Sequence, residues 1–282
     1  MEVKTIAVIG AGAMGSGIAQ VASEAGFNVI MRDIEERFLQ NGLNNIKKNM
    51  TRAVEKGKKS QAEADALIAR IRGTVELSAL SEVDVVIEAM VENMALKKEL
   101  YAQLDAICKP DTVLASNTSG LSITEMASAT GRPEKVVGMH FFNPVPVMRL
   151  VEVIKGAATD EQTYALIMEL SRKLGKEPIL VNEAPLFVVN RILAPMINEA
   201  AFVLMEGVAR AEEIDRGMML GANHPIGPLA LADLIGLDVL LAVMDTLHKE
   251  TGDSKYRACP LIRKLVRAGH YGRKSGHGFY TY

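Results

Sequence analysis

Lys4-Thr-Ile-Ala-Val-Ile-Gly10-Ala-Gly12-Ala-Met-Gly15 joins an apolar, β-branched run to three glycines spaced two and three apart. Such a run reads as a parallel strand buried on both faces, Lys4 to Ile9. Ala11 to Ala25, rich in small residues and helix formers, predicts a helix, with Gly26 in the place of a C-terminal capping glycine. Asn28 to Arg32 reads as a second strand, so the opening 33 residues form one βαβ unit. Its first turn carries G-x-G-x-x-G. Gly10 permits the tight turn, Gly12 lets backbone approach a pyrophosphate, and Gly15 lets helix pack on strand. Asp33 follows Gly15 by 18 residues, near the ~20 expected of the acid that bonds an adenosine ribose. The segment therefore predicts a dinucleotide held by Gly10, Gly12, Ala13, Met14, Gly15 and Asp33. Asp33 would repel a 2′-phosphate, which favours NAD, while Arg32 beside it keeps NADP as an alternative.

Strands are expected again at Val83 to Ala89 and Thr112 to Ser116, with helices at Glu36 to Lys56, Ser60 to Arg72 and Leu96 to Ala106. Alternating strands and helices imply an α/β, Rossmann-type doubly wound sheet. Short strands at Lys135 to His140 and Leu150 to Ile154 flank the turn Asn143-Pro-Val-Pro146. From Phe187 onward only helical periodicity remains: Phe187 to Glu206, Ala211 to Leu220, Leu229 to Lys249. Asn182-Glu-Ala-Pro185 reads as a hinge, dividing a domain of residues 1–185 from a smaller all-α domain of residues 186–282.

The chain has 282 residues, 49% hydrophobic and 23% charged, with a net charge of -2. That excludes an intrinsically disordered chain and gives no global reason to bind nucleic acid. Cys108 and Cys259 match no metal or redox spacing, so neither a disulfide scaffold nor a metal site is expected. Leu229 to Met244 carries Asp233 and Asp238 and is too short for a membrane span. The N-terminal apolar run lacks a cationic leader and feeds into the glycine motif, so a cytoplasmic protein, or one already stripped of a leader, is expected.

Five polar residues outside the glycine loop are candidates for chemistry. Asn117 and Ser119 follow the strand that ends at Ser116, and carboxyl ends of such strands face the ligand crevice. On this string alone a plain turn or a helix N-cap is the favoured reading. Glu152 sits inside Leu150-Val-Glu-Val-Ile154, where a carboxylate must be paired or costs several kcal/mol of desolvation. If the two short strands pair, it reaches His140, and a His–carboxylate pair suits a general base near neutral pH. Asn190 lies in the first turn of the long helix after the hinge, as a cap or as a donor to substrate.

The strings Ser116-Asn-Thr-Ser119, Gly138-Met-His-Phe-Phe-Asn-Pro-Val-Pro-Val-Met148, Leu150-Val-Glu-Val-Ile154 and Val189-Asn-Arg191 resemble the short-chain L-3-hydroxyacyl-CoA dehydrogenases. The similarity runs from Ile6 to Tyr280 and includes Asn223-His-Pro-Ile-Gly-Pro228 and Gly272-Arg-Lys-Ser-Gly276. The resemblance implies His140 as catalytic base with Glu152 as its partner. It implies Ser119 and Asn190 as hydrogen-bond donors to the reacting oxygen, and Asn143 as a substrate contact. Asp33, Glu92, Lys97, Asn117 and Lys274 match cofactor contacts. It further implies an acyl-CoA substrate and a homodimer through the C-terminal helices. Two positions depart from the family pattern: Leu186 replaces a glycine after the hinge proline, and Gly120 replaces a serine.

Lys48, Arg52, Lys56 and Lys59 recur at helical spacing along one face. The plain reading is a solvated surface. A coenzyme A substrate needs cations for its phosphates, which assigns Arg52 and Lys56 to it. The other functions considered are a β-hydroxyacid dehydrogenase working through a lysine, and a non-catalytic dinucleotide sensor. The His140–Glu152 pattern speaks against both.

Overall fold

The computed structural model describes residues 2–282. Among them the chain forms one eight-stranded sheet and eleven α-helices, in two units, Met1–Ala184 and Pro185–Tyr282. In the first unit, β1 (Thr5–Ile9) leads into α1 (Ala13–Glu24), β2 (Asn28–Arg32), α2 (Glu36–Glu55), α3 (Gln61–Ala69) and β3 (Ile71–Thr74). Then come β4 (Val85–Glu88), α4 (Met94–Ile107), β5 (Val113–Ser116), α5 (Ile123–Ala127), β6 (Val136–Phe141), β7 (Leu150–Lys155), α6 (Glu161–Lys173) and β8 (Glu177–Asn182). The strand order is β3-β2-β1-β4-β5-β6-β7-β8. All neighbours run parallel except β6 and β7, which pair antiparallel.

The central strands are apolar because helices cover both faces. Every residue of β4 and β5 is buried. Helix α1 ends as its glycine requires: Gly26 sits at φ +93°, and the N–H groups of Gly26 and Phe27 bond back to the carbonyls of Ser23 and Ala22. Helix α2 buries Leu39, Gly42, Ile46 and Met50, one stripe at helical spacing.

Several elements differ from the sequence expectation. Both edge strands, β3 and β8, are additional. β3 occupies the end of the segment read as one helix to Arg72; α3 stops at Ala69, and residues 71–74 pair with β2 instead. β8 carries Pro178, tolerated because an edge strand has one unpaired side. α5 and α6 also lay outside the expected elements. Lys56 is the residue that caps α2, and Lys59 lies beyond it, 3.7 Å from Glu24. The basic face on the helix is thus shorter than the spacing predicts.

The second unit holds α7 (Val189–Met205), α8 (Ala211–Gly221), α9 (Pro228–Ile235), α10 (Leu237–Thr251) and α11 (Pro260–Arg267). The single helix expected over Leu229 to Lys249 is two, broken at Gly236, whose φ of +105° no α-helix accepts. These helices enclose their own core, with Leu186, Ile197, Leu229, Leu240 and Met244 buried. Two buried carboxylates tie its ends. Asp215 accepts the N–H groups of Leu229 and Ala230 and the Tyr280 hydroxyl, and Asp233 accepts those of Phe279 and Tyr280.

Asp84 performs a similar task at the start of the sheet. It accepts the N–H groups of Lys4 and Thr5 at 2.7 and 2.9 Å and the Lys109 ammonium at 2.6 Å. Burial raises its carboxyl, but the Lys109 hydrogen bond and the two amides outweigh that and hold it below the usual aspartate range. A carboxyl depressed in the folded state contributes stability above its unfolded pKa and loses it as pH falls through the folded value. Asp84→Asn should therefore destabilise the protein by about 1–3 kcal/mol at pH 7. In urea titrations the gap to the parent should close at pH below about 3.9.

Candidate active site

Most candidate residues of the first unit lie at or just past the carboxyl ends of β1, β2, β4, β5 and β6, with Glu152 on β7, Lys97 on α4, and Arg52 and Lys56 at the end of α2. Gly10, at φ +96°, turns the chain where any Cβ would lie 2.5 Å from the Ala89 carbonyl oxygen. A Cβ on Gly15 would stand 1.7 Å from the Gly10 carbonyl oxygen, so strand and helix meet here without a side chain between them. Gly12 is different. A Cβ there meets nothing within 4 Å, so the protein's own packing does not demand a glycine. It caps α1 with no side chain bonded to the helix's first amides, leaving a helix N-terminus suited to phosphate charge.

Asp33 is held in place beside this turn. Its Oδ2 accepts the Ala11 N–H and its Oδ1 the Ile34 N–H, both at 2.7 Å. The Arg32 Nε donates to the Val75 carbonyl at 3.2 Å, which tethers that guanidinium to the neighbouring loop. An open glycine, an uncapped helix start and a fixed carboxylate fit the pyrophosphate and ribose of NAD.

The antiparallel register of β6 and β7 sets His140 opposite Glu152. The imidazole Nδ1 lies 2.7 Å from Glu152 Oε2, with the two residues 4% and 0% exposed. A buried carboxylate is retained there only with its partner; removing either costs about 3–5 kcal/mol. With Nδ1 donating to Glu152, the basic lone pair is on Nε2, and the ring is further held by the Phe142 ring at 4.6 Å. Asn117 is buried, and its Oδ1 accepts the Phe141 N–H at 2.8 Å, joining the ends of β5 and β6. Ser119 is exposed, and its N–H donates to Glu92 at 2.6 Å.

Lys97 is nearly inaccessible, at 1% exposed, with its ammonium 2.6 Å from Glu88 and 3.4 Å from Glu92. Of this cluster, Glu92 alone among the three is substantially exposed. Asn143 is exposed in the turn after β6 and precedes a cis proline. That turn rests on Lys176, whose ammonium donates to the Met148 carbonyl at 2.9 Å and to that of Val145. Burial lowers the Lys176 pKa, opposed by the charge of Glu24. Arg52 and Lys56 are exposed at the end of α2. In the second unit, Asn190 is the second residue of α7, and Lys274 pairs with Asp238 at 2.6 Å.

Glu88 and Lys176 were not anticipated. Glu88 had a signal: a carboxylate closing an all-apolar strand, the pattern that singled out Glu152.

Residues 5–184 match the family model of the 3-hydroxyacyl-CoA dehydrogenase NAD binding domain, and residues 187–282 that of its C-terminal domain. The chain belongs to the 3-hydroxyacyl-CoA dehydrogenase family. A probable 3-hydroxybutyryl-CoA dehydrogenase of Bacillus subtilis is 56% identical over 282 residues, covering 100% of this chain and 98% of the relative. The human mitochondrial hydroxyacyl-coenzyme A dehydrogenase is 39% identical, over 99% of this chain and 91% of its own. The crystal structure of a Ralstonia eutropha (S)-3-hydroxybutyryl-CoA dehydrogenase superposes with a TM-score of 0.98 at 50% identity, covering 100% and 99% of the two chains. This 3-hydroxyacyl-CoA dehydrogenase family member is thus an NAD-dependent oxidoreductase on a Rossmann-type fold. Among the described residues, no helix is long and apolar enough to cross a membrane.

The glycine geometry separates folding from cofactor binding. Gly12→Ala should leave Tm unchanged while weakening NAD binding at least ~10-fold, because the new methyl enters the space backbone leaves for pyrophosphate. Gly15→Ala should lower Tm, since a methyl at 1.7 Å forces strand and helix apart. Thermal melts beside NADH fluorescence titrations check both.

Proposed function

We propose that this enzyme interconverts (S)-3-hydroxybutyryl-CoA and acetoacetyl-CoA, with His140 as general acid/base. The buried His140–Glu152 pair, 2.7 Å apart, carries this reading. Bound NAD supplies the hydride acceptor. His140 Nε2 takes the proton of the C3 hydroxyl in oxidation and returns it in reduction, while Glu152 orients the ring and stabilises its protonated form. Ser119 hydrogen-bonds the reacting oxygen, and on the family's pattern Asn190 gives it a second bond and Asn143 contacts substrate. Gly10, Gly12, Ala13, Met14, Gly15, Asp33, Glu92, Asn117 and Lys274 hold the cofactor. Lys97 serves it through Glu92. The exposed Arg52 and Lys56 bind the phosphates of coenzyme A.

The setting proposed is cytoplasmic, and the enzyme a homodimer through its helical unit. Ile192, Leu220, Leu234 and Val239 are exposed there and available to a partner's helices. A solution mass of twice 30.5 kDa by light scattering is expected; a mass of one chain removes the dimer.

The function is tested by NADH oxidation with acetoacetyl-CoA. His140→Ala should lower kcat at least ~10²-fold with NADH affinity unchanged. Glu152→Gln should lower it in the same direction. Arg52→Ala/Lys56→Ala should instead raise KM for acetoacetyl-CoA and leave a short thioester lacking the nucleotide unaffected. Near-normal kcat without His140 would remove it from the mechanism.

A further inference from the structure

Glu88, at the tip of β4, is 0% exposed and lies outside both the dyad and the glycine loop. Its Oε1 accepts Lys97 Nζ at 2.6 Å and the Met90 N–H at 2.7 Å, and its Oε2 accepts the Ser116 hydroxyl at 2.7 Å. Lys97 also reaches Glu92 at 3.4 Å. Glu92 in turn accepts the Thr118 hydroxyl at 2.9 Å and the Ser119 N–H at 2.6 Å. The Thr118 N–H then donates to Ser116 Oγ at 3.2 Å, which closes a ring back to Glu88.

We propose that Glu88 is a positioning residue: through Lys97 it sets Glu92 and the Ser119 backbone for the oxidoreduction, a role that rests on the function proposed above. A pair serving only to hold β4 to β5 is not needed. The two strands are already joined by their ladder, with Glu88 in register with Ser116, and by the Asn117 N–H donating to the Glu88 carbonyl at 2.7 Å. Nor does the ion pair close on itself. One ammonium reaches two carboxylates, the buried Glu88 at 2.6 Å and the exposed Glu92 at 3.4 Å, and Glu92 also bonds the amide of Ser119. A buried pair of purely structural worth can usually be exchanged for neutral residues of similar volume. Here such an exchange would free Glu92 and let the Ser119 loop shift.

The test uses the full-length enzyme, NADH and acetoacetyl-CoA. Glu88→Gln/Lys97→Met removes both buried charges together. Its Tm should stay within about 4 °C of the parent, while kcat falls at least ~10-fold and KM for acetoacetyl-CoA changes less than ~2-fold. Glu92→Gln, which leaves the buried pair whole, should give the same split, and adding it to the double variant should cost nothing further. Wild-type kcat per folded enzyme in the double variant overturns the proposal, as does full additivity with Glu92→Gln. If the double variant fails to fold, unchanged kcat in Glu92→Gln alone overturns it. An unmodified enzyme inactive with this substrate pair would instead refute the function itself, and so is distinguishable.

Discussion

One chain reversal governs the candidate site. β6 runs parallel to β5, and β7 returns antiparallel to β6, which is the sole reason a histidine and a glutamate twelve residues apart meet inside a sheet. In an antiparallel pair, directly opposed side chains share one face. The hydrogen bond between them satisfies a carboxylate that the strand otherwise buries at a cost of several kcal/mol. The turn that makes the reversal is in turn held by Lys176, which reaches it from the loop before β8. The antiparallel return of β7 thus sets the register that brings His140 and Glu152 together, and both are buried.

Carboxylates elsewhere in the chain do a different job, accepting backbone N–H groups that no strand or helix pairs. Asp84 does so at the start of β1. Glu183 accepts the Thr124 N–H and the Ser122 hydroxyl at the head of α5. Asp215 and Asp233 do so in the helical unit, where glycines clear the way. A Cβ on Gly227 would lie 2.2 Å from Asp215, and one on Gly278 2.0 Å from Asp233.

Leu186 and Phe187 both occupy the left-handed region, at φ +61° and +58°. Such a conformation costs a non-glycine residue of order 1–3 kcal/mol. Leu186 is 3% exposed in the helical core, and burying a leucine returns about 1.5–3 kcal/mol. The two are of similar size, which is how a leucine can stand at a left-handed position. The same side chain that is strained also packs the domain that follows it.

The amino-acid sequence by itself determined the dinucleotide fold, because its signals are local. A β-branched run, three spaced glycines and an acid at the end of the next strand interact within one βαβ unit. Glu152 was legible for the same reason: its immediate neighbours are all apolar. What only the tertiary structure decided were features made by distant partners. β3 and β8 are strands because β2 and β7 offer edges to pair with, and no short-range pattern records such an offer. The burial of Lys97 depends on Glu88, nine residues away on another element, so a lysine that the resemblance matched to a cofactor contact becomes an internal counter-ion. Lys59 left its helical face because α2 ended before it. Periodicity reports which residues share a face while a helix lasts, but packing decides where the helix stops and which charges it buries.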